Sequence, residues 1–301
     1  MLAAAFTYIR NQGDAWSVTQ EALNRDLEAF ALLPRDEAGA LVGPPPPFEY
    51  PLDLGSILGK RTAELHVAFA TPTRDRRFAA EPIQAADLKR WAASASRNLT
   101  AAFGIVAQAA RQAGEPLKAD AAALRKARAA IQARVKVATG LTEAGLKTRT
   151  HGDYHLVQIL AVKDDVAIID FEDESRPAGG DRHRKVSPLR DIASMLRSFD
   201  NAAWSAISRI EERDGASAPV RERALAWRDA ITRDFLAAYW PVAGAGGVVP
   251  QDEAARRCLL DLFLINKASD EIAQEAARRP AWLSLPIRAV LALAAADEVH
   301  P

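Results

Sequence analysis

Between Thr148 and Phe171 a chain that otherwise reads as helix changes texture, and that change limits the folds open to it. Val157-Gln158-Ile159-Leu160-Ala161-Val162 and Val166-Ala167-Ile168-Ile169-Asp170-Phe171 are rich in β-branched residues. Such side chains pack well on a pleated surface and lose rotamer freedom in a helix. Lys163-Asp164-Asp165 between the two runs has turn composition, so together they predict one antiparallel hairpin. An isolated two-stranded hairpin is marginal in water and has to pack on something else. The expectation is a mainly α chain with a small β-hairpin embedded in it.

Helical periodicity fills the remainder. A helix is expected from about Ser17 to Leu32, and Leu58, Thr62, Leu65 and Phe69 place one buried face on a second. Residues 84–112 and 118–138 are Ala-rich and form a helical hairpin about Gly114-Glu115-Pro116. Ser187, followed by Pro188, caps a helix whose apolar stripe is Leu189, Ile192, Ala193, Leu196 and Phe199. Further helices are expected over about 202–213, 218–240, 250–278 and 286–297, with Gly244-Ala245-Gly246-Gly247 breaking two of them. Gly43-Pro44-Pro45-Pro46-Pro47 is a stiff extended connector. Ala5-Phe6-Thr7-Tyr8-Ile9-Arg10 reads as a strand with no evident partner.

Composition narrows the function classes. Lys plus Arg number 39 and Asp plus Glu number 39, so no global field draws in nucleic acid or an anionic membrane. The single cysteine, Cys258, excludes an internal disulfide and a Cys/His zinc cluster, and it reads as a small buried hydrophobe. The apolar start, Met1 to Phe6, lacks a basic flank and a cleavage site, and no segment approaches the roughly 20 apolar residues of a membrane span. A cytoplasmic protein is expected.

The chemistry-bearing residues gather at the hairpin: His151-Gly152-Asp153-Tyr154-His155-Leu156-Val157-Gln158, then Ile168-Ile169-Asp170-Phe171-Glu172. Phosphoryl transfer needs a carboxylate to orient or deprotonate the acceptor hydroxyl, and an amide and a second carboxylate to hold magnesium on the phosphates. In the protein-kinase pattern base and amide stand five residues apart and the metal carboxylate follows the next strand. Asp153 and Gln158 have that spacing, and Asp170 ends the following run. Either half of the pattern arises by chance in loops. The two halves joined by a hairpin, with a helix-opening Ser-Pro beyond, carry the reading.

These segments resemble the aminoglycoside phosphotransferase-like kinases, and maltokinases most closely, including the maltokinase domain fused to trehalose synthase. The resemblance runs through Asn11-Gln12-Gly13-Asp14-Ala15-Trp16, Leu58-Gly59-Lys60-Arg61-Thr62-Ala63-Glu64-Leu65-His66, residues 151–158 and Asp170-Phe171-Glu172. It continues through Ser187-Pro188-Leu189-Arg190-Asp191 to Arg279-Pro280-Ala281-Trp282. It implies the C-terminal lobe of a protein-kinase-like α+β fold that phosphorylates the anomeric hydroxyl of maltose, or a related sugar, from ATP and Mg2+. Asp153 would be the catalytic base, and Gln158 and Asp170 the magnesium ligands. His151 would support the loop, and His155 would sit beside the phosphate or the sugar. Glu172, Lys267, Glu271 and Glu275 would be sugar contacts; read by themselves, Lys267, Glu271, Glu275 and Arg279 equally fit i,i+4 surface pairs. For Arg190 and Asp191, surface charge and loop anchoring stand level.

The chain departs from that family in two places. No Gly-rich loop or strand lysine precedes residues 1–14, which resemble a hinge strand and linker, with the kinase-like lobe over 15–301. The nucleotide lobe is therefore expected to be largely missing, with weak or absent activity for the chain alone. A separate chain bearing that lobe, or a trehalose synthase, is the partner this implies; a fragment of a longer open reading frame is the alternative. The late helix also carries Asn266 for the family's acid, and Asp270 and Gln274 for its two tyrosines. The competing readings are a non-catalytic pseudokinase module and, less well supported, a metal-dependent hydrolase using His151, Asp153, His155 and Asp170.

Overall fold

The computed structural model describes residues 8–36, 41–48, 52–171, 185–215 and 217–295. The described residues form eight α-helices and two small antiparallel sheets. In chain order these are α1 (Ala15–Ala31), α2 (Leu52–Phe69), β1 (Glu81–Pro82), α3 (Ala85–Ala109), α4 (Glu115–Val137), β2 (Leu146–Lys147), β3 (Ile159–Val162) and β4 (Asp165–Ile168). They continue with α5 (Leu189–Asp214), α6 (Ala218–Ala245), α7 (Glu253–Arg278) and α8 (Ser284–Ala295). The chain divides into two compact units, and α2, α5 and α6 each contribute residues to both.

The first unit comprises Met1–Thr62, His155–Glu172 and Ser198–Tyr239. Asp14 caps α1, its carboxylate accepting from the backbone N–H and the hydroxyl of Ser17 at 2.9 Å each. That removes Ser17 as the first helical signal and moves the helix start to Ala15. Leu23, Leu27 and Phe30 bury the inner face of α1, and the Gln20 amide donates to the Ala202 carbonyl of α5 at 2.8 Å. Phe199 of α5 meets Phe235 of α6 edge-on with centroids 5.6 Å apart, and Trp227, Phe235 and Tyr239 are fully buried. Gly55 and Gly59 let α2 approach the α6 backbone at Ile231 and Phe235. Arg223 lies over the Phe48 ring at 3.7 Å, forks onto Asp26 and donates to the Pro46 carbonyl at 2.8 Å, which ties the proline connector to α6.

The second unit comprises Ala63–Tyr154, Asp173–Arg197 and Trp240–Pro301. Helices α3, α4, α7 and α8 pack on one another around Leu99, Val106, Leu124, Ile131, Leu259 and Ile265. Trp91 of α3 meets Phe263 of α7 with centroids 5.5 Å apart, and Arg134 of α4 pairs with Asp261 of α7. The β1–β2 pair sits in a chain of charges: Lys147 reaches Asp87 at 2.8 Å and Glu81 at 3.4 Å, and Lys185 pairs with Glu81.

Several expectations change in detail. The hairpin strands are shorter than the β-rich runs: Ile159 pairs with Ile168 and Val162 with Asp165, about a turn at Lys163-Asp164. Lys163 adopts φ 53° to make that turn, and Leu156–Gln158 form a 3-10 turn instead of strand. Within the run 5–10, residues 8–10 have no regular structure and residues 5–7 lie outside the described residues. The residues that follow do pair with β3: Gln12 N–H donates to the Ala161 carbonyl at 2.9 Å, and Ala161 N–H to the Gly13 carbonyl at 3.0 Å. The two helices expected over 189–199 and 202–213 are one. Asp200 does not break the helix, because its carboxylate takes Arg228 at 3.0 Å and Ala202, Ala203, Ala206 and Ile207 continue the buried stripe. Helix α6 likewise runs through Pro241, near its end, to Ala245.

Candidate active site

The loop bearing Asp153 is built in the second unit from backbone amides held by a buried carboxylate. Asp191 lies in the first turn of α5 and is 1% exposed. Its Oδ2 accepts the His151 N–H at 2.7 Å and its Oδ1 the Gly152 N–H at 3.1 Å. Nε2 of His66, at the end of α2 and itself fully buried, stands 3.3 Å from Asp191 Oδ2. Burial pushes the Asp191 carboxyl upward, but the His66 hydrogen bond and charge and the Gly152 and His151 amides outweigh it. The group is held below the usual carboxylate range. Of the two roles open to Asp191, the geometry supports loop anchoring. Gly152 turns at φ 93°, a conformation that favours glycine, and so sends the chain on to the half-buried Asp153. Tyr154 behind it is fully buried, its ring 5.2 Å from that of His151.

In the first unit, the hairpin returns Gln158 and Asp170 to the same end of the β3–β4 ladder. Gln158 N–H donates to the His155 carbonyl at 2.9 Å, closing the 3-10 turn, and Leu156 N–H donates to the Ser198 hydroxyl at 3.1 Å. The Gln158 carbonyl then accepts from Ile169 N–H at 3.0 Å, one step beyond the Ile159–Ile168 pair and one residue before Asp170. Asp170 is exposed and adopts φ 60°, a conformation costly for most residues with a β-carbon and tolerated best by Gly, Asn and Asp. The far end of the hairpin is fixed by Arg61 of α2, which donates to both carboxylate oxygens of Asp165 at 2.9 and 2.5 Å. That hydrogen bond is the main reason the Asp165 carboxyl lies below its ordinary range.

The late-helix residues divide. Glu271, one of the expected sugar contacts, is 8% exposed and receives Arg197 of α5 at 2.8 Å in a buried ion pair. Glu275 is held by Arg279 at 2.9 and 2.5 Å. Lys267 is half-buried on α7. Asp270 accepts the Asn98 amide at 2.6 Å and lies 3.4 Å from the Asn266 amide. Burial is the main influence that pushes its carboxyl up.

The structure therefore brings Gln158 and Asp170 together on one ladder end, with the half-buried His155 beginning the turn before them. Asp153, Lys267, Glu271 and Glu275 belong to the second unit, and Glu172 lies outside the described residues. Sequence reasoning missed His66, Arg61 and Arg197. His66 and Arg61 stand in the quoted Leu58–His66 motif, but nothing in their spacing names partners a hundred residues away. An amide and a single carboxylate oxygen donor suit magnesium, which keeps several waters and takes its other ligands from phosphate oxygens. Among the described residues no group of three or more His, Cys, Asp and Glu side chains is placed to hold a metal. No described helix is long and apolar enough to cross a membrane.

No protein-family model matches the chain. A glucosamine kinase of Streptacidiphilus jiangxiensis is 31% identical over 182 residues, which is 60% of this chain and 36% of that protein. A structure of glucosamine kinase in complex with glucosamine, ADP and inorganic phosphate superimposes with a TM-score of 0.71 at 20% identity. That match covers 95% of this chain and 58% of that one. Crystal form A of glucosamine kinase gives 0.71 at 21% identity, over 95% and 57%. The chain thus spans between about a third and three fifths of the length of these relatives, and across nearly all of its own length it has the fold of the glucosamine kinase structures.

Proposed function

We propose that this chain is the metal- and acceptor-binding part of an ATP-dependent sugar kinase. The observation that carries the proposal is the hairpin ladder, in which the Gln158 carbonyl accepts the Ile169 N–H one step beyond Ile159–Ile168 and one residue before Asp170. Support comes from the clamp that fixes the amides just before Asp153, and from the likeness to proteins named glucosamine kinases.

In this reading Asp153 accepts the proton of the acceptor hydroxyl as that oxygen forms its bond to the γ-phosphorus and the bond to ADP breaks. Gln158 and Asp170 hold magnesium, which when bound neutralises charge on the phosphate oxygens. His155 orients the phosphate or the sugar, and Lys267 is a further contact to the acceptor. The acceptor is a hexose, and an amino sugar fits best. Where the maltokinase pattern has a tyrosine, this chain places Asp270, a half-buried carboxylate held by Asn98 and next to Asn266, and an ammonium group would relieve the cost of burying its charge. Maltose is the second acceptor to test, on the strength of the shared motifs.

Phosphate transfer from ATP to glucosamine and to maltose, followed by 31P NMR, tests this. It is run on the 301-residue chain alone and with a polypeptide supplying a Gly-rich, lysine-bearing lobe. Transfer to either sugar that falls in Asp153→Asn is the expected result. Absence of both transfer and Mg-ATP binding in the two arrangements would leave the pseudokinase reading standing.

A further inference from the structure

The last turn of helix α2 carries His66, and the proposed chemistry gives this residue no part. The ring is fully buried, and its Nε2 points at the one carboxylate that holds the His151 and Gly152 amides. A carboxylate 1% exposed is costly to bury unless its lone pairs are filled, and its rotamer follows whichever donors fill them. The two amides lie on the loop that has to be positioned, so they cannot by themselves fix Asp191 against it. His66 comes from a different element and supplies a donor that is independent of the loop.

We infer that His66 is a positioning residue: its Nε2–H fixes the Asp191 carboxylate, and the carboxylate in turn fixes the two amides that precede Asp153. The inference deepens the sugar-kinase reading, but its physical content, the restraint on the loop, is measurable whether or not the chain transfers phosphate. His66 is assigned a proton on Nε2, because an unprotonated Nε2 facing Oδ2 would set two acceptors against each other.

The test compares amide hydrogen exchange in the unaltered chain, in His66→Phe, which keeps a ring of similar size without the nitrogen, and in His66→Gln, which keeps an N–H donor at similar reach. Exchange at His151 and Gly152 is expected to accelerate about tenfold or more in His66→Phe, and to stay within about threefold of the unaltered chain in His66→Gln. The Ala161 amide, bonded to the Gly13 carbonyl in the hairpin ladder, serves as the reference and is expected to change little. Equal acceleration at all three amides, or the same acceleration in both variants, would make His66 an ordinary core residue and overturn the inference. Should His66→Phe not fold, the 15N spectrum of histidine-labelled, unaltered chain decides. A slowly exchanging His66 Nε2 proton supports the assignment, and a proton on Nδ1 alone overturns it.

Discussion

Gly59 of α2 lies so close to Phe235 of α6 that a β-carbon added to it would stand 2.2 Å from the Phe235 carbonyl oxygen. The obstacle is backbone, so no side chain can turn away to make room. Gly59→Ala is expected to destabilise the protein by at least about 1–3 kcal/mol, lowering Tm by about 2–4 °C for each kcal/mol. Gly104→Ala in α3, where a β-carbon meets nothing within 4 Å, is expected to be neutral or to stabilise by about 0.5–1 kcal/mol. Calorimetric melts of the two variants check the contrast, and equal melting points would refute the close approach.

Asp170 holds φ 60° at the point where the hairpin delivers it. Replacement by Ala therefore has two effects, a conformational cost of about 1–2 kcal/mol and the loss of an oxygen donor. Gly has the second effect without the first, and Asn largely spares the backbone. Stability is expected to fall in the order Gly or Asn above Ala. Transfer by the completed kinase is expected to drop by about a hundredfold or more in all three. Urea titrations and initial rates separate the two readouts, and an Ala variant as stable as the Gly variant would show that the backbone there is unstrained.

The Asp191 carboxyl is held below its ordinary range by His66 and by the Gly152 and His151 amides, against the upward push of burial. A depressed carboxylate contributes stability that is complete above the unfolded value of about 3.9 and is lost as pH falls through the lower folded value. Glu81, through Lys185, and Asp87, through Lys147, shift the same way. Unfolding free energy is therefore expected to be flat with respect to these groups near neutrality and to fall below about pH 4. Asp191→Asn should flatten part of that acid limb and leave the share belonging to Glu81 and Asp87. Denaturant titrations from pH 7 down to pH 3 give the slopes, and parallel acid limbs in the two proteins would contradict the depressed value.

Glu271 and Arg197 form an ion pair in which the residues are 8% and 4% exposed. Removing one partner strands the other charge, so Glu271→Leu is expected to cost about 3–5 kcal/mol, and Glu271→Leu with Arg197→Met to recover much of it. A residue whose main work was sugar contact would behave differently, raising the acceptor KM and leaving Tm in place. Thermal melts of the single and double variants, set beside acceptor KM values, distinguish the two.

The sequence by itself determined the mainly helical class, the hairpin and the candidacy of Asp153, Gln158 and Asp170, because each rests on short-range physics. Periodicity is local, β-branched stiffness is local, and a turn of two or three residues must return one strand end to the other. Helix continuity through Asp200 was not legible, because the partner that satisfies its carboxylate, Arg228, lies on a different helix. The pairing of residues 12–14 with β3 was not legible either, because its partner strand lies about 150 residues away in the chain. The tertiary structure alone decided that Asp191 faces inward to hold the His151 and Gly152 amides, that His66 backs it, and that Glu271 is taken by Arg197. Each of those depends on which buried group must find a hydrogen-bond partner after the helices have packed, and chain order does not encode that choice.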